Sequence, residues 1–151
     1  MKNILKTAVA IMAIALGIGC NEPDPISPAP DSGTYIGIFE TTNTISGVFE
    51  KEQEQVYLTT NVTEDDQAGE VIDITMVGVS FYAGMSTIFS FTISNIPATG
   101  DMGEYEADSK TAVGDAQPYS INNVKVQLDG YSIEFSFDYD GHTIKYWGRM
   151  D

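Results

Sequence analysis

From Gly33 to the C-terminus, apolar residues recur at every second position, and no stretch of useful length repeats at the helical spacing of 3.6. Side chains alternate across a strand, so this pattern gives each segment one apolar face and commits the chain to sheets. Nine segments fit: Thr34–Thr41, Thr44–Glu50, Gln55–Asn61, Val71–Ser80, Thr87–Asn95, Met102–Ala107, Ser120–Leu128, Tyr131–Tyr139 and His142–Met150. They are rich in Val, Ile, Thr, Tyr and Phe, which suit a pleated, half-buried surface, and Gly, Asp and Asn divide them. The second and third also read as one bent strand, which leaves eight. Many strands at short spacing predict an all-β antiparallel barrel or sandwich.

The last third fixes a register. Asp129-Gly130 and Asp140-Gly141 are both two-residue type I′ hairpin signals, with positive φ needed at each central position. Closing the second turn pairs Tyr139 with His142, Phe137 with Ile144, Phe135 with Tyr146 and Ile133 with Gly148. Closing the first pairs Leu128 with Tyr131, Val126 with Ile133 and Val124 with Phe135. Both turns put Ile133, Phe135, Phe137 and Tyr139 on one apolar face, which a one-residue slip would scatter. On the polar face Lys125 meets Glu134 and Ser136 meets Lys145, each pair worth ~0.2–1 kcal/mol. Trp147 falls on that outer face opposite Glu134. A large aromatic there implies a partner contact or a covering loop or tether, and the loop is the expected cover.

The N-terminus is of another kind. Lys2 and Lys6 precede an apolar run over Thr7–Gly19, and Cys20, the only cysteine, follows it. The run falls short of the ~20 apolar residues that a membrane-spanning helix needs. Leu16-Gly17-Ile18-Gly19-Cys20 resembles a bacterial lipoprotein signal. That resemblance implies cleavage before Cys20 and acyl chains on its sulfur, which hold a protein to a bilayer. Asn21–Ser32 carries four of the six prolines, a tether of extended character. Glu22 and Asp24 beside the cysteine resemble a surface-export signal of some Gram-negative groups.

Removing 19 of the 151 residues leaves 132, with all 22 acidic residues against five of the seven basic ones, a net charge of −17. Such a chain repels nucleic-acid phosphates and is not drawn to an anionic membrane surface, so the lipid is the expected anchor. Otherwise the charge reads as solubility. With Cys20 acylated no disulfide forms, and core burial alone stabilises a single domain. All seven Phe, all eight Tyr and Trp147 lie beyond residue 33.

The order of lipoprotein signal, Pro-rich tether, Gly33-Thr34-Tyr35-Ile36-Gly37, Ile74-Thr75-Met76-Val77-Gly78-Val79-Ser80-Phe81 and a closing meander from Val124 to Met150 resembles a known family. It is that of the calycin-like (lipocalin-like) β-barrel lipoproteins of anaerobic Gram-negative bacteria. Lipocalins proper carry Gly-x-Trp where this chain has Gly33-Thr34-Tyr35. The resemblance implies a signal peptide over 1–19, an acylated Cys20 and linker over 20–32, and an eight-stranded up-and-down barrel over 33–151. It also implies a lipid-anchored place in the cell envelope, at the outer membrane. It brings no established activity, so no functional residue carries over.

Catalytic chemistry finds no footing. A Ser-His-Asp triad would have to use His142, the sole histidine. Residues 138 and 142 point to opposite faces in the paired register, so His142 reads as a strand-end residue packing on Tyr139. Zinc needs several His or Cys ligands. The acidic stretches Glu64–Glu70 and Asp101–Asp108 lack EF-hand spacing and read as solvated turns. No phosphate loop occurs and no carboxylate pair is singled out. The expectation is a non-enzyme without cofactor or metal.

Binding is the open question, because an eight-stranded barrel is either filled by side chains or wide enough for one small ligand. Phe81-Tyr82-Ala83-Gly84-Met85 reads as an apolar loop at the barrel mouth. With Phe135, Phe137 and Tyr139 inside, the candidate ligand-binding set is Phe81, Tyr82, Met85, Phe135, Phe137 and Tyr139. The first expectation is an envelope lipoprotein that binds a small apolar ligand or envelope component, which requires a cavity. The alternative is a filled-barrel interaction or inhibitor module working through its acidic outer surface, around Trp147, which requires a packed interior.

Overall fold

The computed structural model describes residues 32–151. The expected signal over 1–19, the acylated Cys20 and the tether as far as residue 31 lie outside it. Eight antiparallel strands follow one another: β1 (Ser32–Asn43), β2 (Phe49–Asp65), β3 (Gly69–Val79), β4 (Phe89–Pro97), β5 (Glu104–Gly114), β6 (Tyr119–Asp129), β7 (Ser132–Tyr139) and β8 (His142–Met150). Each pairs with its sequence neighbour, and β1 pairs with β8 to close an up-and-down barrel. Closure gives every strand two neighbours, with the shortest ladder between β4 and β5, at Phe91–Gly114 and Thr92–Val113.

The closing seam depends on two glycines. Gly37 of β1 lies opposite Gly148 of β8. A Cβ on Gly37 would overlap the Trp147 carbonyl, and one on Gly148 would overlap the Tyr146 ring. Past this point Tyr35 pairs with Met150, and the Asp151 amide donates to the Thr34 carbonyl at 3.0 Å. The two ends of the barrel domain therefore lie side by side.

The second and third expected segments are one strand, β2. It bends at Gln55, which adopts φ 56°, where the pairing with β1 slips between Gly37 and Phe39. This is a β-bulge. Residues 44–48, expected to begin a strand, form a turn instead. The Asn43 side-chain oxygen accepts from the Ile45 and Ser46 amides at 3.1 and 3.0 Å, and the Gly47 amide donates back to the Asn43 carbonyl. β5 runs on past Ala107 to Gly114, with Tyr105 and Ala112 its only buried side chains.

The second C-terminal hairpin has the expected register, from Tyr139 opposite His142 to Ile133 opposite Gly148. Its turn has positive φ at both Asp140 (45°) and Gly141 (76°). The first hairpin closes one residue later than expected. Asp129 pairs with Ser132, Leu128 with Ile133 and Val126 with Phe135. Gly130 (φ 56°) is then the first central residue of the turn, as in type II′ hairpins, and Tyr131 is the second. The pairing moves by two positions, so every inward residue stays inward. The outer neighbours change: Glu134 faces Gln127, and Lys125 faces Ser136.

The inward residues fill the lumen. Tyr35, Phe39, Leu58, Ile74, Phe91 and Tyr146 are each 2 % exposed or less. Burying a large apolar side chain contributes ~1.5–3 kcal/mol, so the filled lumen is the main source of stability.

Candidate functional site

Of all the buried apolar residues described, Phe81 alone comes from a loop, the connection over 80–88 between β3 and β4. Its side chain is fully buried. The ring sits 5.0–5.4 Å, centroid to centroid, from Phe89, Phe91, Tyr119, Phe137 and Tyr139, edge-on to each. Edge-to-face contact sets the positive rim of one ring against the negative face of another. Phe81 is a cork in the barrel mouth.

Polar contacts hold the cork in place. The buried Thr41 hydroxyl donates to the Phe81 carbonyl at 2.7 Å, and the Phe81 amide donates to Met85 Sδ at 3.3 Å. Lys51 Nζ donates to the Ser80 carbonyl and hydroxyl at 2.7 and 2.6 Å, and lies 5.6 Å from the centre of the Phe39 ring. Partial burial lowers the Lys51 pKa from the ordinary lysine range. Tyr82 stacks on His142 with centroids 4.7 Å apart and planes 9° apart. His142 Nε2 in turn lies 3.1 Å from Glu50 Oε2. His142 was expected to pack on Tyr139, but the stacking ring is Tyr82. Burial raises the Tyr139 pKa, and Tyr119, Tyr82 and Asp140 add to the effect.

The residues singled out for ligand binding thus meet at one end of the barrel. Phe81, Tyr82, Met85, Phe137 and Tyr139 share the mouth. Phe135 lies one alternation deeper, with its ring 5.4 Å from Phe137. They pack on one another, and Phe81 takes the central space. Toward the other end of the lumen, Tyr35 of β1 and Thr60 of β2 bury their hydroxyls; burial raises the Tyr35 pKa, and the Thr60 hydroxyl partly offsets the rise. The Tyr146 hydroxyl donates to the Val56 carbonyl at 3.0 Å. Burial raises its pKa strongly, and the neighbouring Tyr35 adds to the rise.

The outer wall of β5–β8 carries an open cleft of about 300 Å³. Two neighbouring rungs of outward side chains build it. One runs Glu104, Gln127, Glu134, Trp147 across β5, β6, β7 and β8. The next runs Glu106, Lys125, Ser136, Lys145. Ser136 is the smallest of the eight, so the floor dips between the two lysines. Lys125 lies 3.7 Å from Glu106, but both are more than half exposed, and such a pair contributes little. Among the described residues Lys145 has no ion-pair partner. Trp147, for which a covering loop was expected, stays 39 % exposed. Trp147 was legible in the sequence, but its neighbours Gln127 and Lys125 fall into place only with the corrected first hairpin.

No group of His, Cys, Asp and Glu among the described residues is arranged to hold a metal ion. The architecture defines an all-β, closed, antiparallel eight-stranded barrel, in keeping with the calycin-like resemblance. Comparison with family models, curated proteins and solved structures finds no match.

Proposed function

We propose that this chain is a lipid-anchored envelope protein whose barrel is a filled scaffold and whose recognition surface is its outer wall. The observation that carries this reading is Phe81. It and its five ring neighbours fill the space that an apolar guest would need. The wall of β5–β8, in contrast, offers a concave surface with a partly exposed indole and charged groups of both signs. Concavity with a few convergent polar groups is the usual form of a ligand site, and exposed Trp is enriched among binding hot spots. The anchor rests on Cys20 and the apolar run before it.

Titration with an environment-sensitive apolar dye tests the filled lumen. The wild-type protein shows no saturable enhancement, and stoichiometric binding would overturn the reading. Metabolic labelling with palmitate tests the anchor: Cys20→Ala abolishes the label and releases the protein from the membrane fraction. One observation favours a second reading, an apolar ligand inside the barrel. The cork is a loop residue, so it can leave without breaking a strand. On that reading the dye binds only after Phe81 is displaced.

A further inference from the structure

We infer that the cleft on β5–β8 binds a neutral saccharide, with a sugar ring lying on Trp147 and its hydroxyls meeting Lys145, Glu134 and Gln127. This rests on the outer-wall reading and goes beyond it by naming the ligand. The argument is chemical complementarity. The two rungs set donors beside acceptors: Lys145, Ser136 and Lys125 along one, and the Glu134 and Glu104 carboxylates with the Gln127 side-chain carbonyl along the other, since the Gln127 amide nitrogen donates to the Met102 and Leu128 carbonyls at 3.4 and 3.3 Å.

A wholly apolar ligand would strip water from these charges without replacing their hydrogen bonds, which is costly. An anion meets three carboxylates, and a cation meets two ammonium groups. A hydroxyl both donates and accepts, so a polyhydroxylated ligand satisfies either kind of neighbour. The C–H face of a sugar ring supplies the apolar area that the half-exposed indole lacks. Trp147 suits the task, with a large rigid apolar face and few rotamers to freeze. A volume of about 300 Å³ lies at the small end of ligand sites and admits one or two sugar rings.

The reporter is built in, because Trp147 is the only tryptophan. Its emission is followed while the full-length protein, in detergent, is titrated with neutral polysaccharides: soluble starch, mannan and hydroxyethylcellulose, then an array of neutral oligosaccharides. The expected result is a saturable shift with at least one of them. A neutral ligand owes little to long-range charge, so its affinity changes about twofold or less between low and high salt. Trp147→Ala, followed by calorimetry, weakens binding roughly tenfold or more. Lys145→Ala keeps the reporter and weakens binding roughly fivefold, as expected for one lost hydrogen bond. Both variants should melt within a few degrees of wild type, since neither side chain is in the core.

No response across the array overturns the saccharide. So does a Trp147 shift produced only by charged ligands with steep salt dependence. A shift produced only by a protein partner also removes the saccharide, but leaves the outer-wall reading standing. Saccharide binding that survives Trp147→Ala places the site elsewhere and removes both.

Discussion

Removing the cork gives the most direct measure of how the barrel is held shut. Phe81→Ala deletes a fully buried ring that touches five others. Buried Phe→Ala changes cost ~3–5 kcal/mol, combining lost transfer energy with the cavity left behind. The five neighbours stand on strands, whose backbone hydrogen bonds prevent them from collapsing into the gap. The bond from the Thr41 hydroxyl to the carbonyl of residue 81 survives the change. The cost should therefore fall near the middle of that range. A domain of this size unfolds with an entropy near 0.25 kcal/mol/K, so Tm falls by about 12–20 °C.

The vacated space is lined by aromatic rings and offers water few partners, so it stays dry and accepts a small apolar guest. Benzene at about a hundred times its Kd restores ~2.7 kcal/mol, close to 10 °C. Thermal unfolding followed by circular dichroism, with and without benzene, reads both effects. A fall in Tm of less than about 4 °C, with no recovery on adding benzene, would refute the reasoning. It would mean that Phe81 spends much of its time outside the barrel.

Gly37→Ala forces a methyl group against the Trp147 carbonyl across the closing seam and should cost more than ~2 kcal/mol, read as a lower urea midpoint. Thr41→Val keeps the shape but leaves the Phe81 carbonyl without its donor, and ~1–3 kcal/mol should be lost in the same assay. Stability should also fall at alkaline pH. The folded-state pKa values of Tyr35 and Tyr146 are raised by burial, so their contribution is complete below the ordinary tyrosine value near 10 and is lost as pH climbs past it. Tyr146→Phe should flatten that alkaline decline at a cost of ~1 kcal/mol at neutral pH, seen in unfolding curves taken across the pH range.

The sheet was legible because its signal is local. Alternation marks which side chains face inward, and Asp140-Gly141 pins one hairpin to the residue. The first hairpin was misread because Asp129-Gly130 has the same dipeptide, yet the turn forms on Gly130-Tyr131. A shift of two preserves the inward face, so the hydrophobic pattern cannot tell the two registers apart. The second half of β5 was missed because Asp108–Thr111 carries no apolar alternation, and only its pairing with β6 makes it a strand. The loop over 81–85 was read correctly as an apolar feature at the mouth. That Phe81 points into the lumen and not over it depends on distant partners, Thr41 and Lys51, which no local pattern reveals. The cleft is harder still, since it is assembled from pairs of outward residues on four strands.

Because Met150 runs beside Tyr35, the first and last strands of the barrel begin and end at the same rim, and the corked mouth with the turn over 44–48 is at the opposite one. Engineering must respect that polarity. A fusion at Asp151 crowds the start of β1, whereas a tag inserted after Ser46 projects from the far rim. Linking Asp151 to Ser32 and opening the chain between 44 and 48 should yield a circular permutant of the barrel with every rung intact.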